Sequence, residues 1–206
     1  MPPPLAVYFW PESAGSIPNK QNLIVIAVRT LPTTIRFQAR KQIRMAIQHV
    51  LAEKFSCQYT EVKFISELGQ SLKLAQPRQN IGLSISHESG LSLAAINMNG
   101  RVGVDLIDIK TIPNKSEIDT LALEYLGAEL AEYLSHLSCE EQNHAFAQAW
   151  TEFEARLKCQ EECLTEWIPP SALQLNTLAA RSLSLPENYI GTVVFSDSNH
   201  SGLGLI

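Results

Sequence analysis

IGLSISHESGLSLAAINMNGRVGVDLID, residues 81–108, contains apolar runs that are typical of β-strands. The runs 91–97 and 101–107 flank Asn97-Met98-Asn99-Gly100, and because Asn-Gly tolerates positive φ, this spacing predicts a β-hairpin. Strand 91–97 is apolar enough to be buried on both faces. Strand 101–107 carries one acid, Asp105, which is costly to bury without a partner. Asp105 is therefore the first candidate functional residue.

The residues before this stretch predict an N-terminal half of mixed strands and one long helix. Apolar spacing predicts a helix over 35–55, with Phe37 among the residues of its buried stripe. The strongest strand is 22–29, which is rich in β-branched residues. Shorter strands are predicted at 5–10 and 61–66, and the polar segment 68–80 is predicted to be a loop.

The residues after this stretch predict a second half that begins with helices and ends with strands. Segment 109–119 contains Pro113 and Asn114 and is the best candidate for a boundary between lobes 1–108 and 109–206. Ser138 is predicted to cap a long helix, since acids follow it in the first turn. The remaining predictions are helices 117–126 and 128–137, strands 172–175, 189–195 and 203–206, and a turn at 197–202.

Length, charge and cysteine content limit the possible functions. A chain of 206 residues has room for one large domain or two small lobes. Its net charge of −5 argues against wholesale nucleic-acid binding, which normally needs a basic face. The four cysteines form no CxxC pair and favour reduced thiols in the cytosol. Without a signal-peptide pattern or a long apolar run, we expect a cytoplasmic protein with no membrane partner.

Three arginines recur every four residues in the first half of the predicted helix 35–55. Arg36, Arg40 and Arg44 therefore lie on one side of that helix and present three guanidinium groups in a row. A solvated charged face explains this spacing as well as an anion site does. No acids alternate with the arginines, and guanidinium binds phosphate in a bidentate manner. Both observations favour anion binding.

Three further motifs follow one another along the chain. They are Ser-His at 86–87, Gly-Val-Asp-Leu at 103–106 and Trp-Thr-Glu-Phe-Glu-Ala-Arg-Leu-Lys at 150–158. Together with the arginine helix, in this order, they resemble the 4′-phosphopantetheinyl transferase superfamily in its longer, two-lobed form. The resemblance covers about residues 36–160. It implies an α+β fold in which two similar α/β lobes form a pseudo-dimer, with the active site at the lobe interface.

The resemblance implies an enzyme that moves the 4′-phosphopantetheine arm of coenzyme A to a serine of a carrier protein. The acceptor would be an apo acyl carrier protein or peptidyl carrier protein domain, as in fatty acid, polyketide or nonribosomal peptide biosynthesis. The other product would be 3′,5′-ADP. Because two lobes of one chain would build one active site, we expect a monomer. No nucleic-acid partner is expected.

The resemblance also implies roles for particular residues. Mg²⁺, held by Asp105 and Glu154, would assist the reaction, and Glu154 would take the serine proton. Lys158 would neutralise charge that develops on the phosphate, and His87 would donate a hydrogen bond to it. The implied catalytic set is Glu154, Lys158, Asp105 and His87. The implied coenzyme A contacts are Arg36, Arg40, Arg44, Lys73, Ser86, His87 and Lys158.

The sequence departs from the family pattern at four places. Ile107 replaces a second acid, Phe153 replaces a lysine, Glu88 replaces a serine, and the usual glycines after Lys158 are absent. Two alternatives therefore stay open. One is a degenerate homologue that binds carrier protein or coenzyme A without catalysis, and the other is an unrelated α+β scaffold.

Overall fold

The computed structural model describes residues 2–18, 20–66, 72–77, 80–167 and 178–196. In these ranges the chain has an α+β fold. The strands are β1 (Tyr8–Phe9), β2 (Leu23–Arg29), β3 (Lys63–Ile65), β4 (Lys73–Gln76), β5 (Gly82–Glu88), β6 (Leu91–Asn97), β7 (Val102–Asp108), β8 (Leu178–Ser182) and β9 (Tyr189–Ser196). The helices are α1 (Arg36–Phe55), α2 (Lys115–Leu121), α3 (Ala128–Ser135) and α4 (Cys139–Gln160), with a π-helical turn (Ala122–Leu126) between α2 and α3.

The strands form two larger sheets and one small ladder. The first sheet has the order β1-β2-β6-β5, the second has the order β7-β9-β8, and β3 pairs with β4. Every residue of β6 is buried, which confirms the predicted burial of this strand on both faces.

The predicted hairpin between β6 and β7 is wrong. Both edges of β6 are already paired, one with β2 and the other with β5, so β7 pairs with β9 in the second sheet. The hairpin of this stretch joins β5 to β6 instead. Its turn contains Gly90 with a φ of +83°, a conformation that favours glycine. The Asn97–Gly100 turn therefore connects two sheets.

One long helix packs on each of the larger sheets. Helix α1 contacts β2 and β6, and α4 contacts β7 and β9. Phe37 was predicted to lie in the buried stripe of α1, but it is 73% exposed. It precedes Ile43 by six residues, which turns its side chain about 120° away from the buried face. None of the helices in the described ranges is long and apolar enough to cross a membrane.

Two strands were not predicted from the sequence. Strand β4 lies inside the predicted loop 68–80, since its polar residues gave no apolar run; it forms because β3 offers an antiparallel partner. Strand β8 pairs with β9 at the edge of the second sheet. The predicted strands 172–175 and 203–206 and the turn 197–202 lie outside the described residues.

Candidate functional site

A cleft of about 860 Å³ lies between α1, β5, β7 and the second half of α4. Residues from several distant parts of the chain line this cleft, because the two sheets meet along β5 and β7. All nine site residues that the sequence singled out line it: Arg36, Arg40, Arg44, Lys73, Ser86, His87, Asp105, Glu154 and Lys158.

Asp105 lies at the centre of the cleft, with its side chain only 11% exposed. Its Oδ1 accepts a hydrogen bond from Ser86 Oγ at 2.9 Å and one from Lys158 Nζ at 2.6 Å. Lys158 Nζ also donates to the carbonyl oxygen of Val104 at 3.3 Å. The partner that a buried acid requires is thus the ammonium group of Lys158, from one turn beyond Glu154 on α4.

Glu154, on α4, is another acid that lines the cleft. Burial raises the pKa of the Glu154 carboxyl, and the negative charge of Asp105 raises it further, against an opposing effect of Lys158. The negative charge of Asp105 therefore disfavours a second negative charge at Glu154. A cation between them would relieve this repulsion.

Gly103 sets the distance between α4 and β7. A Cβ atom at this position would overlap the carbonyl oxygen of Ala155 and would lie 2.6 Å from the backbone nitrogen of Cys159. The backbone of α4 therefore packs directly on β7, which brings Lys158 to Asp105. The sequence interpretation gave Gly103 no such role, although an isolated glycine in a strand pattern signals a close backbone approach.

Two serines on β5 tie the first sheet to the second. Ser84 Oγ accepts a hydrogen bond from the backbone nitrogen of Val104 at 3.0 Å, and Ser86 Oγ donates to Asp105. The sequence interpretation missed Ser84. Its signal was the i, i+2 spacing of two serines in an apolar strand, which places both on one face.

The opposite wall of the cleft is cationic. Arg36 and Arg40 are exposed, and Arg44 is half-buried with its Nη2 donating to Ser66 Oγ at 2.8 Å. Arg44 Nε is buried and has no hydrogen-bond partner within the described ranges. A buried donor without an acceptor is costly.

Lys73 and Glu161 connect β4 to the end of α4 across the cleft. Lys73 Nζ lies 3.5 Å from Glu161 Oε2, and both side chains are about half exposed, at 53% and 55%. An ion pair this accessible to solvent contributes little to stability. Lys73 can therefore exchange this acid for another anion at low cost.

His87 is held in its neutral form. Its Nδ1 lies 2.8 Å from Ser92 Oγ. Burial lowers the pKa of His87 most. The positive charges of Arg36, Arg40, Lys158 and Arg44 lower it further, to about 4. At neutral pH the His87 imidazole would therefore offer a ligand a hydrogen bond and not a positive charge.

The low pKa of His87 predicts a measurable pH dependence. The unfolded chain binds a proton at His87 near pH 6.5, whereas the folded chain binds it only near pH 4. The contribution of neutral His87 to the free energy of unfolding is thus complete above pH 6.5 and is lost as the pH falls towards 4. In urea unfolding experiments, the free energy of unfolding should decline less steeply from pH 6.5 to pH 4 for His87→Gln than for the wild type. An NMR titration giving a pKa above 6 for His87 would contradict the prediction.

The departures from the family pattern occupy different positions in the structure. Ile107 lines the cleft on the same strand face as Asp105. Glu88 also lines it, and burial raises the pKa of the Glu88 carboxyl, opposed by a hydrogen bond from the backbone of Ser89. Phe153 packs against Trp150 with ring centroids 6.0 Å apart. The cleft thus gains an apolar side chain and an acid.

The residues of the cleft fit a magnesium ion only if a ligand shares it. Within the described ranges, no three His, Cys, Asp or Glu side chains lie close enough to hold one metal ion together. Mg²⁺ commonly uses one or two protein carboxylates and takes its other ligands from water and substrate phosphates. The mutual repulsion of Asp105 and Glu154 and the cationic wall fit this arrangement.

Comparison with known proteins adds no further information on this cleft. No protein-family profile matches the sequence, and a search of curated proteins finds no match.

Proposed function

We propose that this protein transfers the 4′-phosphopantetheine arm of coenzyme A to a serine of an apo acyl or peptidyl carrier protein. The observation that carries the proposal is the convergence of nine side chains from distant parts of the sequence on one cleft. All nine are predicted site residues, of which Arg36 and Lys73 match the family motifs less well than the others. Guanidinium groups from α1 and the acids Asp105 and Glu154 line the same cleft, a combination that suits a magnesium-bound pyrophosphate.

The cationic wall is the proposed site for the phosphates of coenzyme A. Guanidinium groups bind phosphate oxygens through paired hydrogen bonds. Arg36, Arg40 and Arg44 all line the cleft, so their guanidinium groups border the space that a phosphate would occupy. Neutral His87 adds a hydrogen bond, and Lys73 adds a charge at the edge of the cleft.

The acidic wall is the proposed site of the chemistry. Asp105 and Glu154 would hold Mg²⁺, which when bound supplies Lewis-acid charge to the pyrophosphate. The serine oxygen would form a bond to the phosphorus next to the pantetheine arm as the bond from that phosphorus to 3′,5′-ADP breaks. Glu154 would take the serine proton, because it lines the cleft and a carboxylate can accept a proton. Lys158 would offset the negative charge of the leaving phosphate.

The packing of the helices supports two similar lobes around this site. Helix α1 covers the first sheet and α4 covers the second, and the cleft lies where both helices approach the β5–β7 contact. Strand β7 pairs within the second sheet, so a lobe boundary near residue 100 follows the strand pairing more closely than one after residue 108. The pseudo-dimer stays part of the proposal.

A second candidate is a homologue that binds coenzyme A or a carrier protein without transfer. The position of Ile107 favours it, because an apolar side chain lines the cleft where a second acid of β7 would assist a metal ion. The pairing of Asp105 with Lys158 favours it too, because the ammonium already neutralises the central acid.

An intact-mass assay separates the two candidates. Incubation with apo carrier protein, coenzyme A and Mg²⁺ is expected to add one phosphopantetheine group to the carrier. Glu154→Gln should abolish the gain, because the amide cannot accept the serine proton. Glu152→Gln is the matched control, since Glu152 lies on the same helix and pairs with Arg156 outside the cleft. Coenzyme A binding without any mass gain, across several carriers, would favour the second candidate.

A further inference from the structure

Lys158 binds the carboxylate of Asp105, which a divalent cation would also bind. Its Nζ lies 2.6 Å from Oδ1 of Asp105, the acid at the centre of the cleft. The lysine side chain is 32% exposed, whereas that of Asp105 is 11% exposed. Lys158 is thus the more exposed member of the pair, and its long, flexible side chain can turn away from Asp105.

The charges of the cleft make this contact competitive with a metal ion. Asp105 and Glu154 carry two negative charges, and Lys158 carries one positive charge, which leaves a net charge of −1 for the three side chains. Ile107, on the same strand face, adds no charge. A cation that binds Asp105 while Lys158 stays in place must approach an ammonium group within a few ångströms, which is unfavourable in a partly buried site.

A bound pyrophosphate changes this balance. Phosphate oxygens between the arginine wall and α4 would attract the ammonium of Lys158 away from Asp105. The same oxygens would add ligands and negative charge for the cation. Without a pyrophosphate, the cation would have only the two carboxylates as ligands, with a net charge of −1 once Lys158 is included.

We propose that Lys158 is a built-in counter-ion of Asp105 that blocks the divalent cation until a pyrophosphate ligand draws it away. The cation then binds together with coenzyme A and only weakly before it. This inference rests on the proposed function, and it makes Lys158 a positioning residue for Asp105 in the free protein.

Metal binding by the full-length protein tests the inference without using transfer activity. Free Mn²⁺ is counted by electron paramagnetic resonance for the wild type and for Lys158→Met, with and without coenzyme A. Without coenzyme A, we expect Lys158→Met to bind Mn²⁺ at least about fivefold more tightly than the wild type, since the competing charge is gone. With coenzyme A, the wild type should gain more affinity than the variant, so the difference should shrink or reverse.

Two further variants control for the general loss of a positive charge on α4 and for misfolding of Lys158→Met. Arg156→Met removes a cation from the same helix, but Arg156 pairs with Glu152 outside the cleft, so this control should bind Mn²⁺ like the wild type. Lys158→Gln removes the charge and keeps a hydrogen-bond donor for Asp105, so it serves if Lys158→Met does not fold. Saturating Mn²⁺ should also raise the melting temperature more in either Lys158 variant than in the wild type.

The outcomes are distinguishable. Equal or weaker Mn²⁺ binding by both Lys158 variants without coenzyme A would overturn the inference and leave the proposed function standing. With coenzyme A present, unchanged Mn²⁺ binding by Asp105→Asn, or no binding by any form, would overturn the inference together with the proposed metal site. Tighter Mn²⁺ binding by the Lys158 variants, lost again when Asp105→Asn is combined with them, would support both the inference and the proposed metal site.

Discussion

Asp105→Asn is expected to lower the rate of phosphopantetheine transfer by about 100- to 1,000-fold while the chain stays folded. The amide has the shape of the acid and can still accept the hydrogen bond from Ser86. It lacks the charge that would hold a cation, and it leaves Lys158 without its counter-charge. The initial rate of mass gain on the carrier protein, at saturating coenzyme A and Mg²⁺, measures this loss.

Asp108→Asn is the matched control for this prediction. Asp108 is a buried acid on the same strand, but it accepts a hydrogen bond from the backbone nitrogen of Lys110 at 3.0 Å and does not line the cleft. Asparagine makes the same cap, so transfer should continue at close to the wild-type rate. Asp105 would have no special role if Asp105→Asn retained more than about a tenth of the wild-type activity. The same would follow if Asp108→Asn lost as much activity as Asp105→Asn.

Gly103→Ala is expected to reduce the free energy of unfolding by about 3 kcal/mol. The added methyl group would meet the backbone of α4 at Ala155 and Cys159, and backbone atoms cannot turn aside as a side chain can. The helix must move away from β7, which also separates Glu154 and Lys158 from Asp105. Urea unfolding measures the stability, and the mass assay on the folded fraction should show slower transfer.

Gly15→Ala is the control for the methyl group itself. A Cβ atom at Gly15 has no other heavy atom within 4 Å, apart from its chain neighbours, so this variant should unfold close to the wild type. Equal stability of Gly103→Ala and the wild type would show that α4 is free to shift on β7. The alignment of Lys158 with Asp105 would then need another explanation.

The two long helices could be predicted from sequence because their signals are local. The prediction 35–55 matches α1 to within one residue. The Ser138 cap is confirmed, since its side chain accepts a hydrogen bond from the backbone of Glu141 in a capping box. Apolar spacing and a cap both act within one or two turns, so neighbouring residues carry the whole signal.

Strand pairing could not be predicted in the same way. The Asn-Gly sequence after β6 correctly predicts a turn, but a turn does not decide which strands pair. Strand β6 has only two edges, and β2 and β5 occupy both of them. Strand β4 lacks an apolar run that would predict a strand. It forms because its backbone pairs with β3. Competition among strands for edges is settled by the whole fold.

Motif and spacing were enough to predict the chemical types that meet in the cleft: a row of arginines, a serine and histidine pair, two acids and a lysine. Three features follow only from the packing of the sheets and helices: Lys158 and not Glu154 contacts Asp105, Gly103 lets α4 approach β7, and Ser84 and Ser86 join the sheets. The two kinds of feature differ in the distance along the chain over which they are set. Side-chain chemistry and helix periodicity are set by residues a few positions apart, whereas a 2.6 Å contact between residues 105 and 158 depends on how two sheets and a helix pack.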